Sequence, residues 1–99
     1  MQTVGIDIGT TTISGVVLEK NGTQKPRILK AKTIENGSFL TTTKDWERIQ
    51  DAEKIVKKSR QMLDDFLDEY PEVEKIGLTG QMHGIVYIDK EGTCVSPLY

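Results

Sequence analysis

From residue 3 to residue 8 the chain alternates, with Val4, Ile6 and Ile8 on one side and Thr3, Gly5 and Asp7 on the other. That period of two predicts a strand. Gly9, Thr10 and Thr11 read as a tight turn, and residues 12–19 as a second, β-rich strand. Asn21-Gly22 carries the hairpin-turn signature, after which Pro26 opens a third strand over roughly residues 27–34. Three strands joined by short turns predict an antiparallel meander.

Residues 39–50 are the least legible stretch. Beyond them Ile55, Val56, Ser59, Met62, Leu63, Phe66, Leu67 and Tyr70 recur at helical spacing, an apolar stripe over about four turns. Asp51 is a good N-cap; Asp45 competes with it, because Trp46 and Ile49 would extend the stripe backwards. Pro71 ends the helix. Lys57, Lys58, Arg60, Asp64, Asp65, Asp68 and Glu69 lie mostly on the opposite face, which reads as solvated. Residues 73–79 predict a strand with Ile76 and Leu78 on one side, and residues 85–88 and 93–99 a closing hairpin around Asp89-Lys90-Glu91-Gly92. The order is β-β-β-α-β followed by a β-hairpin, an α/β arrangement. A helix crossing from the meander to residues 73–79 places that strand in the same sheet.

Composition narrows the class. The 99 residues are 28% charged and 36% hydrophobic with a formal net charge of -2, an ordinary composition for one small domain. A pI near 5.4 offers no basic footprint for nucleic acid or an anionic membrane. Cys94 is the single cysteine, which excludes an internal disulfide and fits a reducing, cytoplasmic setting. No run of about 18 apolar residues and no leader pattern is present. One His and one Cys exclude a His/Cys metal cage within these residues.

Two loops can carry chemistry. In Asp7-Ile8-Gly9-Thr10-Thr11-Thr12 a carboxylate at a strand end is followed by a glycine and three hydroxyls. Glycine permits close approach to an anion, successive N–H groups make an anion-binding nest, and the Thr hydroxyls add donors. Asp7 would repel phosphate, so its use would be to hold Mg²⁺ or its waters. Taken alone, the stretch equally suits a plain β-turn whose Asp and Thr bond their own backbone. It is not a Walker loop: no Lys follows the glycine, and the loop joins strand to strand. The second is Gly80-Gln81-Met82-His83-Gly84, just past a strand end, where open α/β sheets place ligands. Gln81 and His83 each offer a donor and an acceptor, which suits a polyol. Alone, it also suits a surface loop with a neutral His, with Met82 as a core filler.

Together the loops resemble the FGGY family of carbohydrate kinases, in the actin-like and Hsp70-like ATPase superfamily with a ribonuclease-H-like fold. The family opens with a strand, Asp-x-Gly-Thr-[Ser/Thr] and a β-hairpin, as residues 5–12 do here. Its xylulokinase and sedoheptulokinase branches carry Gly-Gln-Met-His-Gly, found here at 80–84. Gln50-Asp51-Ala52 resembles the family's Gln-Asp-Pro segment before its first long helix, which favours Asp51 as the cap. The resemblance runs over essentially the whole chain. It implies that Asp7 sits by Mg²⁺, that Gly9, Thr10, Thr11 and Thr12 meet the ATP phosphates, and that Gln81, Met82 and His83 meet a ketose such as xylulose or sedoheptulose.

Many relatives have Lys or Arg at the position of Ser14, so one charge-assisted phosphate contact is absent or comes from elsewhere. The family's general-base aspartate comes much later in the chain, followed by a second domain that holds adenine. The expectation is therefore that residues 1–99 are the N-terminal part of the first domain, truncated and inactive alone. Pro97-Leu98-Tyr99 reads as mid-strand, and one helix leaves one face of the sheet bare, which would favour a homodimer. Rival readings are a sugar-sensing regulatory protein on the same fold, which lacks the later base, and an actin- or Hsp70-like ATPase, which leaves Gln81-Met82-His83 unexplained.

Overall fold

The structure, a computed structural model, describes residues 1–41, 44, 49–80 and 84–99. Its elements are β1 (Gln2–Ile8), β2 (Thr12–Glu19), β3 (Arg27–Glu35), α1 (Ala52–Glu69) and β4 (Val73–Gly80). They build a sheet of order β3-β2-β1-β4. β1, β2 and β3 form the expected antiparallel meander, and β4 joins β1 in parallel.

Alternation in β1 and β2 decides where the core lies. Val4, Ile6, Ile13 and Val17 point to one face and are buried there against Met62 and Phe66 of α1. Gly15 lies between Ile13 and Val17 on that face and makes the notch that receives the helix. A Cβ at Gly15 would stand 2.5 Å from the Phe66 ring and 2.7 Å from Met62 Sδ. A bulge between Val17 and Leu18 shifts the β3 register, and Tyr70 Oη donates to the Leu29 carbonyl beside it.

The helix starts and stops where its sequence says. The Asp51 side chain accepts from Lys54 N, the defining N-cap bond, and Tyr70 N closes onto Phe66 O before Pro71. Asp45, the competing cap, lies outside the described residues. On the solvated flank Glu69 accepts from Lys30 Nζ at 2.6 Å and Asp65 faces Lys32 at 3.7 Å. The Glu69 hydrogen bond and charge hold the Lys30 ammonium above its ordinary pKa, although such exposed pairs stabilise little.

α1 packs chiefly on β1 and β2, with its flank toward β3. Ile76 and Leu78, beside Val4 and Ile6 in register, are therefore 47% and 68% exposed. The opposite face of the sheet is uncovered too, a broad concavity of ≈ 550 Å³ lined by Val16, Leu18 and Ala31 among others.

The closing hairpin forms with a looser ladder than its pattern predicts. Asp89 and Thr93, then Tyr87 and Val95, then Ile85 and Tyr99 are joined by backbone bonds, with an isolated bridge at Ile88 and Cys94. Between the last two pairs, Ser96 and Pro97 break the register. Pro97 has no N–H to give to the ladder, and Tyr87 N donates to Ser96 Oγ rather than to the Val95 carbonyl.

Candidate functional site

β1 and β4 run parallel and end in register, with Ile8 opposite Gly80. The loop that begins at Gly9 and the loop that begins after Gly80 thus leave the same end of the sheet from adjacent strands, about 4.8 Å apart. A helical crossover is what makes this possible, because antiparallel neighbours would put their following loops at opposite ends. Gln81, Met82 and His83 themselves lie outside the described residues. Gly84, at the far side of their loop, is described, and Ile85 after it pairs with Tyr99.

The phosphate-type loop is described in full. Gly9 N donates to Thr12 O at 2.9 Å, so the turn is closed by its own backbone. A Cβ at Gly9 would approach Thr12 O to 2.8 Å, so glycine is required by the turn itself. The other loop carbonyls are satisfied from within the protein. Asn36 Nδ2 donates to Gly9 O at 2.8 Å, Gln50 Nε2 to Thr10 O at 3.1 Å, and Asn36 N to Thr11 O at 2.8 Å. The N–H groups of Thr10 and Thr11 enter none of the hydrogen bonds found among the described residues, and Thr10, Thr11 and Thr12 are exposed. The carbonyls of Gly9, Thr10 and Thr11 are thus occupied while two N–H donors are left over on exposed residues, the kind of surplus an anion requires.

This arrangement differs from a β-turn stabilised by its own side chains. Among the described residues no hydrogen bond joins the Asp7 carboxylate or the Thr10, Thr11 and Thr12 hydroxyls to the loop backbone; Asn36 and Gln50 hold it instead. Sequence reasoning passed over both. Asn36-Gly37-Ser38 follows directly on the third strand, with Gly37 at φ 59, and Asn36 and Ser38 are fully buried. Gln50 was visible only through the Gln-Asp resemblance.

Asp7 is exposed and lines the concavity of the open sheet face. It stands opposite Ser14 on β2 and Thr79 on β4, and Ser14 in turn opposite Thr33 on β3. The result is a polar row of three hydroxyls and one carboxylate across all four strands. Ser14 Oγ and Thr33 Oγ1 lie 3.0 Å apart and share a hydrogen bond, so Ser14 is engaged across the sheet. Among the described residues no group of three or more His, Cys, Asp or Glu side chains could cage a metal. A single exposed carboxylate beside a phosphate-type loop does fit Mg²⁺, which keeps most of its waters and takes one or two carboxylates with substrate phosphates. No helix of the described residues is long and apolar enough to cross a membrane.

Residues 2–99 match the family described as "FGGY family of carbohydrate kinases, N-terminal domain". No curated protein matches the chain. Among solved structures it is similar to a xyloylose kinase from Brucella ovis, at 24% identity and TM-score 0.79, over 99% of this chain and 20% of that one. It is also similar to the ligand-bound xylulose kinase from Lactobacillus acidophilus, at 19% identity and TM-score 0.80, over 98% of this chain and 19% of that one. A gluconate kinase from Lactobacillus acidophilus gives 19% identity and TM-score 0.80 over the same shares. The chain thus spans about a fifth of the length of these structures, and at such identities the likeness speaks for the fold.

Proposed function

Since the chain belongs to the FGGY family of carbohydrate kinases, we propose that it carries the phosphate loop and the sugar loop of an ATP-dependent ketose kinase. One observation supports this most. The parallel β1–β4 pair brings the two loops out side by side, as transfer between a nucleotide and a sugar requires. In this reading the N–H groups and hydroxyls of Thr10, Thr11 and Thr12 take the ATP phosphates, with Gly9 making room for them. Asp7 holds Mg²⁺ or its waters, and Gln81, Met82 and His83 hold the sugar. Bound Mg²⁺ would offset charge on the phosphate oxygens. Ser14, occupied with Thr33, leaves the phosphates to the loop donors.

The reaction is a displacement at phosphorus. A ketose hydroxyl oxygen bonds to the γ-phosphorus, the bond to the bridging oxygen breaks, and ADP leaves with the electron pair. The hydroxyl proton passes to a base that the family resemblance places beyond Tyr99. We therefore assign turnover to the protein carrying this chain, in the cytoplasm, and none to these 99 residues alone. The ketose reading rests on Gln81-Met82-His83; xylulose and sedoheptulose are the first substrates to try.

A coupled assay of ADP release with a panel of ketoses tests the reading. Asp7→Asn should lower kcat on the order of 10²–10³-fold, while His83→Ala should raise the sugar KM far more than the ATP KM. Equal effects of His83→Ala on both constants would remove the sugar role. ADP release with no ketose of the panel would remove the ketose reading.

A further inference from the structure

Beneath the loop 9–12 lie three buried polar side chains, Asn36, Ser38 and Gln50, with relative exposures of 0%, 1% and 3%. Polar groups so deep are costly unless each is bonded, and these are bonded to one another and to the loop. Gln50 Nε2 donates to Ser38 Oγ at 3.0 Å and to Thr10 O at 3.1 Å, which uses both of its protons. Ser38 Oγ, having accepted from Gln50, gives its one proton to Asn36 Oδ1 at 2.5 Å. Asn36 Oδ1 thus faces Ser38, which turns Nδ2 onto Gly9 O at 2.8 Å. The bonds run in one direction, from Gln50 through Ser38 and Asn36 to the loop, and each partner fixes the orientation of the next amide.

We infer that Asn36, Ser38 and Gln50 are positioning residues that hold the carbonyls of Gly9 and Thr10 inward and so aim the loop's N–H groups at the nucleotide phosphates. The inference rests on the phosphate-loop reading above. All three side chains are buried, and Asn36 and Gln50 reach the loop at its backbone carbonyls. Gln50 has a second attachment: its backbone exchanges hydrogen bonds with Leu98 at 2.8 and 2.7 Å. A change of its side chain leaves that pair, and the neighbouring arm of the sugar-side hairpin, in place. The consequence should fall on the nucleotide.

The test is equilibrium binding of MgATP and of the ketose substrate to the protein carrying this chain, with melting temperatures beside each value. Gln50→Met keeps the volume and removes both donors. Asn36→Asp keeps the shape and replaces the Gly9 donor with an acceptor. Each should weaken MgATP about 10-fold, the loss of one oriented hydrogen-bonding group, while ketose binding stays within about twofold. Ser38→Ala breaks the middle of the chain and should weaken MgATP about threefold; it carries the test if the other two do not fold. Gly9→Ala, which pushes on Thr12 O from within the turn, reports on the phosphate-loop reading itself. MgATP weakened by Gly9→Ala but untouched in the folded variants of Gln50, Asn36 and Ser38 overturns the positioning role and leaves the loop reading standing. MgATP untouched by any of them, Gly9→Ala included, overturns both. A lower melting temperature with both ligands bound as before means the three residues serve stability alone, which also overturns the inference.

Discussion

Gly15 shows how much one missing side chain can decide. The Phe66 ring and Met62 Sδ occupy the space a Cβ would take, and both residues are themselves buried at 1% and 2% exposure, so neither has room to retreat. Gly15→Ala is expected to destabilise the fold by about 1–3 kcal/mol through overpacking. A lower urea midpoint at unchanged slope would register it; an unchanged midpoint would mean the helix slides to make room. Gly9 is constrained differently, by the carbonyl of Thr12. At this scale the sequence was legible where one residue type has few uses. Asp7 and Gly9 announced themselves, and the Asp7–Thr12 motif pointed to phosphate. Asn36, Ser38 and Gln50 did not, because the same residue types serve ordinary turns and caps. Only their burial, and for Asn36 and Gln50 the bonds to a loop 27 and 40 residues away in sequence, set them apart.

Among the elements, the strands and the helix were read almost to the residue, because alternation and helical spacing are imposed locally by burial on one face. The second strand runs Thr12–Glu19, and the helix begins one residue past its Asp51 cap. Asp51→Ala removes the acceptor for Lys54 N and should cost about 0.5–2 kcal/mol. Helicity by circular dichroism and a urea titration would measure it together, and an unchanged midpoint would show the cap to be redundant with the Lys54 Nζ bond to Gly37 O. The hairpin was harder. Its turn at Asp89 is well marked, and Asp89 Oδ1 accepts from both Glu91 N and Thr93 N. The return arm depends on Ser96 and Pro97, whose break in register has no period to betray it. Stretch 39–50 was illegible for a related reason. Phe39 bridges Gln50 and Gln50 bridges Leu98, pairings that no local pattern encodes.

For the whole molecule, one number summarises the packing. The radius of gyration is 16.0 Å, against about 13 Å for a compact domain of this length, and the extents are 52 × 29 × 21 Å. The excess fits a sheet with one face covered over two strands and the other face open. Val16, Leu18, Ile76 and Leu78 meet water on these surfaces, and apolar surface of this kind favours association. Sedimentation velocity on the 99-residue chain should show a homodimer or larger species growing with concentration; a monomer throughout would show that the open sheet tolerates solvent. The parallel pairing of β1 with β4 also has a consequence in time. Gln2 finds its neighbour at Val73, so the first strand is made early and waits for the crossover helix before its second edge is closed. Non-local pairings of this kind form late and slowly. During synthesis the loop proposed for the nucleotide can take shape within a hairpin, whereas its junction with the loop proposed for the sugar must await the fourth strand.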